Sequence, residues 1–156
     1  MEINSDYKSL LRSLNAAGVR YLVVGAYAVM AHTEPRYTKD LDVWIDPSAA
    51  NADAVFRALA EFGAPLRGIT AADFTQPEIF YQLGVDPVRV DILTSLSGIE
   101  FDAAWERRVT VDYGGEPAAV LGREDLIAAK RAAARPQDKL DIQTLLTPPM
   151  PKSRPK

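Results

Sequence analysis

The sequence predicts an α+β domain, a mixed β-sheet with its helices packed on one face. Two observations carry this. Segments with apolar residues at helical spacing are interspersed with short runs that alternate apolar and polar residues at period two, in an order that suits one mixed sheet. At 156 residues the chain can bury roughly 70% of its unfolded surface, enough for a single core without disulfides or structural metals. Residues 1–146 are therefore expected to form one domain. The last ten residues, 147–156, hold four prolines and three basic groups and are expected to be a disordered tail.

Ser5-Asp6 supplies a helix cap, and Leu10, Leu11 and Leu14 form an apolar stripe that ends near Gly18. Tyr21 to Val24 is a short buried-type strand closed by Gly25, after which Ala26 to Ala31 returns to helix formers. Glu34 to Thr38 is a polar loop. Leu41, Val43 and Ile45 then alternate with Asp40, Asp42 and Trp44, which predicts a strand with one polar face. Asp46-Pro47-Ser48 caps a helix that runs to Phe62 and stops at Gly63. The interval from Ala64 to Gln76 lacks periodicity and reads as loop. Glu78 to Leu83 and Val88 to Leu93 are strands joined by the turn-forming Gly84-Val85-Asp86-Pro87. A short helix at Glu100 to Trp105 precedes strands at Val109 to Tyr113 and Ala118 to Leu121. Arg123 to Ala134 is an amphipathic helix broken before Pro136, and Gln137 to Leu146 is the last helix.

Composition narrows the chemistry. The chain has no cysteine and one histidine, His32, so thiolate catalysis, disulfides and multi-histidine metal sites are excluded. A metal here must sit on carboxylate oxygens, which favours a hard cation, Mg2+ or Mn2+. The net charge of −3 gives the whole protein no footprint for nonspecific nucleic-acid binding. No apolar run approaches the ~20 residues of a membrane span, and the start Met1-Glu2-Ile3-Asn4 lacks a secretory signature, so a cytoplasmic location is expected.

Side chains alternate along a strand, so Asp40 and Asp42 share a face while Leu41, Val43 and Ile45 face inward. Two such carboxylates repel unless water or a cation relieves them. A third acid, Asp91, stands within Val90-Asp91-Ile92, among residue types that are normally buried, and shares its face with Arg89. If the two strands are neighbours, three carboxylates converge, as a two-metal phosphoryl-transfer site requires. An Asp-x-Asp strand taken alone is more often a solvated face. Gly25-Ala26 closes a strand and opens a helix, which puts free amides and a positive helix end where a phosphate can sit, though most such turns bind nothing.

The combination of Gly25-Ala26, a thirteen-residue interval, Asp40-Leu41-Asp42-Val43 and a distant apolar-Asp91-apolar strand resembles the nucleotidyltransferase superfamily of DNA polymerase beta. Leu22 to Val29, Arg36 to Asp42, Arg89 to Leu93, and Glu124 to Lys130 with Arg135, Asp138 and Asp141 resemble its small bacterial and archaeal branch related to the AbiEii toxins of abortive-infection systems. The likeness spans about residues 20 to 146. It implies the minimal nucleotidyltransferase fold, with Asp40, Asp42 and Asp91 ligating the metal and Asp91 helping to deprotonate the acceptor hydroxyl. Gly25 and the Ala26 amide would hold the triphosphate, and Ala26 departs from the superfamily's Gly-Gly or Gly-Ser, so no side-chain hydroxyl reaches the terminal phosphate. Arg36, Thr38 and Lys39 precede the acids, either as phosphate contacts or as an exposed basic loop. Lys130 matches a lysine that approaches the site and neutralises phosphate charge, whereas a lysine on an amphipathic helix is otherwise solvated. Arg135, Asp138, Lys139 and Asp141 read equally well as surface ion pairs. His32 is expected to pack beside its helix, and Trp44 to join the core in preference to stacking on a base.

The activity implied is Mg2+-dependent transfer of a nucleotide from a nucleoside triphosphate to a hydroxyl on an unidentified acceptor, whether tRNA or other RNA, a protein or a small molecule. A cognate partner protein, as in a toxin and antitoxin pair, belongs to the same expectation. The alternative is a regulatory or binding component of such a pair that keeps the fold without turnover.

Overall fold

The computed structural model describes residues 4–33, 40–84 and 89–147. Helix α1 (Ser5–Ala16) is capped by Asn4, whose side-chain oxygen accepts from the Asp6 and Tyr7 amides at 2.9 and 3.1 Å. The cap thus lies one residue before the Ser5-Asp6 expected from sequence. The helix buries Tyr7, Leu10, Leu11 and Leu14. Strand β1 (Tyr21–Val24) is buried throughout and passes directly into α2 (Gly25–His32). Strand β2 (Asp40–Ile45) is followed by α3 (Ala49–Phe62), which Ser48 caps and a left-handed Gly63 ends.

Between Ala64 and Gln76, where periodicity predicts only loop, residues Ala71–Thr75 form a 3-10 turn. Thr70 and Asp73 cap it reciprocally and Phe74 is driven into the core, 1% exposed. Five residues are too few for a helical period to show, so the capping pair is the only local signal. Strands β3 (Phe80–Leu83) and β4 (Arg89–Leu93), helix α4 (Phe101–Glu106), and strands β5 (Val109–Tyr113) and β6 (Glu116–Val120) follow. The chain closes with α5 (Arg123–Ala133) and α6 (Pro136–Leu146). The expected tail lies, apart from Thr147, outside the described residues.

The six strands make one mixed sheet in the order β3-β4-β2-β1-β6-β5. Its centre positions the acids. β1 and β2 run antiparallel with Val24 opposite Asp42, and β2 and β4 run parallel with Asp40 opposite Arg89 and Asp42 opposite Asp91. Because register fixes the face of every side chain, this pairing sets all three aspartates on one side of the sheet. Leu41, Val43, Ile45, Val90 and Ile92 enter the core with the apolar faces of α1 and α3, which pack on each other. Trp44 is buried edge-on against Phe101 at 5.0 Å, as expected of a core residue. The His32 ring meets the Leu121 carbonyl at 2.8 Å and ties the end of α2 to the end of β6. No helix among the described residues is long and apolar enough to cross a membrane.

Candidate active site

Gly25 ends β1 in the left-handed region at φ +66, and a Cβ there would lie 2.1 Å from the Asp42 Oδ2 atom. Only glycine permits both the bend and the approach. The Asp42 carboxylate therefore rests directly over the first residue of α2. Ala26 stands one residue on, half-buried, and the cleft beside it is lined by Val24 and Gly25 instead.

Asp42 and Asp91, register partners on adjacent parallel strands, come within hydrogen-bonding reach of each other. Burial, then the hydrogen bond and charge of Asp91 and the charge of Asp40, push the Asp42 carboxyl from 3.8 up to about 7, against the opposing pull of Arg89. Asp91 is only 5% exposed. Arg89 Nε lies 3.2 Å from Asp91 Oδ1 and 3.8 Å from Asp40 Oδ1, so one guanidinium bridges two of the acids. Among the described residues Asp40 Oδ1 nevertheless has no hydrogen bond, although it is buried and the rest of that side chain is more open.

Among the described residues no three acidic or imidazole groups are already set at the spacing of a metal cluster. Asp42 engages Asp91 while Asp40 leans to Arg89. The donor set still fits a hard divalent cation. An orphaned carboxylate oxygen, a carboxyl with raised proton affinity and a second carboxylate beside it are the groups such an ion would satisfy.

These residues floor a cleft of about 560 Å³. Helix α5 walls it with Leu126, Ala129, Lys130 and Ala133, and Arg135 and Asp138 stand at its rim. At the β3 end it is closed by Phe80, Leu93 and the Ser95-Leu96-Ser97 turn. Phe80, 54% exposed, pairs with Leu93 across the strands. Its part in the cleft escapes sequence reading, because a phenylalanine in a strand looks like core.

Lys130 reaches the cleft but is not solvated. Its Nζ lies 3.3 Å from Asp138 Oδ1 and 3.0 Å from Asp141 Oδ2, with the lysine side chain 9% exposed. Asp138 and Asp141, 1% and 2% exposed, are therefore not surface ion pairs. The packing of α6 on α5 turns them inward, a tertiary effect that the heptad-length pattern of either helix alone does not reveal. Burial pushes the Asp138 carboxyl up. The side-chain and backbone hydrogen bonds from Arg135 and the Lys130 charge outweigh it and hold that carboxyl below its usual value. Arg36, Thr38 and Lys39 lie outside the described residues.

No curated protein matches the chain by sequence. Several solved structures share its fold. One from Thermotoga maritima, described as a nucleotidyltransferase, is 19% identical over 93% of this chain and 95% of its own, with a TM-score of 0.60. The lincosamide antibiotic adenylyltransferase LnuA, solved with lincomycin, is 15% identical over 91% of this chain and 95% of its own, with a TM-score of 0.59. The antibiotic-resistance factor ANT(2'')-Ia is 10% identical over 90% of this chain and 80% of its own, with a TM-score of 0.60. A family model described as "Nucleotidyl transferase of unknown function (DUF2204)" matches residues 3–147, and the chain accordingly belongs to that family of nucleotidyl transferases.

Proposed function

We propose that this protein transfers a nucleoside monophosphate from a nucleoside triphosphate to a hydroxyl, with Mg2+, or Mn2+ in its place, held by Asp40, Asp42 and Asp91. The observation that carries the reading is the Asp42–Asp91 carboxylate pair set against Gly25 at the N-terminus of α2. Such a pair is unfavourable by itself and becomes favourable when a divalent ion shares it. The bound ion would supply charge neutralisation at the phosphates and lower the proton affinity of the acceptor hydroxyl.

The residues of the chain do the rest. The bend at Gly25 offers main-chain amides, including that of Ala26, and the positive end of α2 to the β- and γ-phosphates. Asp91 accepts the acceptor's proton as its oxygen forms the new bond to the α-phosphorus. The bond from that phosphorus to the β-bridging oxygen breaks, and pyrophosphate departs on the Gly25 side. An in-line displacement puts entering and leaving oxygens on opposite sides of the phosphorus. With pyrophosphate over β1, the acceptor enters from the β4 and β3 side, past Asp91 toward Phe80, Leu93 and Leu96. Arg36, Thr38 and Lys39, just ahead of Asp40 in the sequence, would add phosphate contacts.

LnuA is a lincosamide antibiotic adenylyltransferase and ANT(2'')-Ia has been solved in complex with adenylyl-2''-tobramycin, which supports a small hydroxylated acceptor as one candidate, beside RNA and protein. The AbiEii-like run of motifs supports a setting in a two-protein pair, tested by whether a tagged chain co-purifies with a small protein encoded beside it. The deciding experiment incubates the protein with Mg2+ and each α-labelled nucleoside triphosphate in the presence of total RNA, cell lysate, a lincosamide and an aminoglycoside. Label on one acceptor, lost with Asp42→Ala, is the expected result. No transfer with any nucleotide would instead support a regulatory component that has kept the fold.

A further inference from the structure

We infer that Arg135, between α5 and α6, is the side chain of this helix pair's wall that grips the phosphates of the nucleotide, and that the buried Lys130–Asp138–Asp141 cluster serves to position it. The inference rests on the nucleotide-binding reading of the cleft given above and assigns its cationic contact.

Lys130 is badly placed for that task. Its Nζ already has two carboxylate partners, at 3.3 and 3.0 Å, and the three side chains are 9% exposed or less. Moving Lys130 onto a phosphate would break two buried ion pairs at once, those to Asp138 and Asp141, which costs more than one phosphate contact returns. Arg135 is the reverse. Its side chain is 74% exposed, and it lines the same cleft as Gly25, Asp42 and Asp91. Nε and Nη2 donate to Asp138 at 2.7 and 3.2 Å, and its backbone amide donates to Asp138 Oδ2 at 3.1 Å. Asp138 therefore fixes both the main chain and the guanidinium of Arg135. The remaining edge of the guanidinium, Nη1, has no hydrogen bond among the described residues. An oriented donor with its partners in place loses little entropy when an anion binds, and a guanidinium suits phosphate oxygens better than an ammonium does.

The backbone is built for the same placement. Ala134, the residue that ends α5, sits at φ 54, a left-handed conformation that a residue with a Cβ adopts only under constraint. Pro136 opens α6 and holds Arg135 extended, at φ −76 and ψ 159. Strain of this kind gathers at functional positions. Two cations and two carboxylates also make a neutral cluster, and buried ion pairs are weak sources of stability, so positional precision is the better account of why the chain keeps them.

The test is calorimetric titration of the full chain with inorganic tripolyphosphate in Mg2+, which needs no knowledge of the base or the acceptor. Arg135→Ala is expected to weaken binding about tenfold or more, the loss of one charge-assisted hydrogen bond, and to reduce the salt dependence of affinity. Arg135→Lys should fall between it and wild type, and Arg135→Gln repeats the test should the alanine variant melt early. Asp138→Asn separates positioning from bulk charge, because added net positive charge alone would tighten binding, whereas loss of the fork weakens it. Equal affinity of wild type and Arg135→Ala, or tighter binding by Asp138→Asn, overturns the inference while leaving the active-site reading intact. Failure of wild type to bind tripolyphosphate would overturn both.

Discussion

Replacing Asp42 by asparagine should stabilise the metal-free protein while abolishing its chemistry. In the absence of divalent ions the Asp42 carboxyl is raised from 3.8 to about 7, so its folded state holds a proton more tightly than its unfolded state. A raised group contributes stability that is fully present below the unfolded value and is lost as pH rises through the folded one. Above about pH 7 the ionised Asp42 therefore opposes folding, by a shift of about three units at 1.36 kcal/mol each, or about 4 kcal/mol as an upper figure. Asparagine keeps the shape, carries no charge and can donate to Asp91. Allowing half of the bound for relaxation, a gain of about 2 kcal/mol would raise the melting temperature by roughly 4–8 °C for a domain of this size. The assay is thermal unfolding by circular dichroism in EDTA at about pH 8 and about pH 5. The gap between variant and wild type should close at the lower pH. Adding Mg2+ should raise the wild-type melting temperature and leave the variant nearly unchanged. A variant that melts at or below wild type in EDTA at about pH 8 would refute the reasoning, because the carboxylate would then be adequately solvated and have no need of a cation.

Further outcomes follow from the same geometry. Gly25→Ala places a Cβ 2.1 Å from Asp42 Oδ2 at φ +66, so it should displace that carboxylate, lower stability by about 1–3 kcal/mol and reduce nucleotidyl transfer on the order of a hundredfold; full activity would show that the contact is dispensable. Lys130→Ala leaves Asp138 and Asp141 buried without their shared cation and should cost about 3–5 kcal/mol by denaturant titration, a loss that a surface lysine would not produce. Asp138 is held below its usual value by Arg135 and Lys130, so its contribution is present above the unfolded pKa and lost as pH falls through the lowered one; Asp138→Asn should therefore be less stable at neutral pH and lose less on acidification than wild type. Phe80→Ala, which removes an exposed ring at the β3 end of the cleft, where the proposed mechanism seats the acceptor, should raise KM for the acceptor several-fold and leave KM for the nucleotide and the melting temperature unchanged.

How far the site could be read from the sequence depends on which physical constraint places each residue. The acids were legible because strand alternation is local and stiff and sets Asp40 with Asp42; the register of β2 on β4, which places Asp42 opposite Asp91, comes from the tertiary pairing. Most elements were legible for the same reason, since their periodicity and caps lie within one segment, and the exceptions, the Asn4 cap and the turn at Ala71–Thr75, depend on one or two hydrogen bonds. The electrostatics beyond the acids were not legible. Nothing within α5 or α6 distinguishes Lys130, Asp138 and Asp141 from an ordinary charged face, because their burial is created by two helices meeting across a strained turn at Ala134.

Gly25 shows the same limit from the other direction. Its place between a strand and a helix marks it as a bend where a phosphate can sit, yet the structure gives it a second task, which is to leave room for the Asp42 carboxylate. The two tasks are coupled. A side chain at this position would separate the amides that open α2 from the acid pair, so the glycine is what allows the α2 terminus and the Asp42–Asp91 pair to face one cleft. By the same coupling Ala26, whose side chain does not line the cleft, should tolerate substitution where Gly25 does not. Substituting serine at position 26 should accordingly leave both the affinity for tripolyphosphate and the metal-free melting temperature nearly unchanged, whereas any side chain at position 25 should change both.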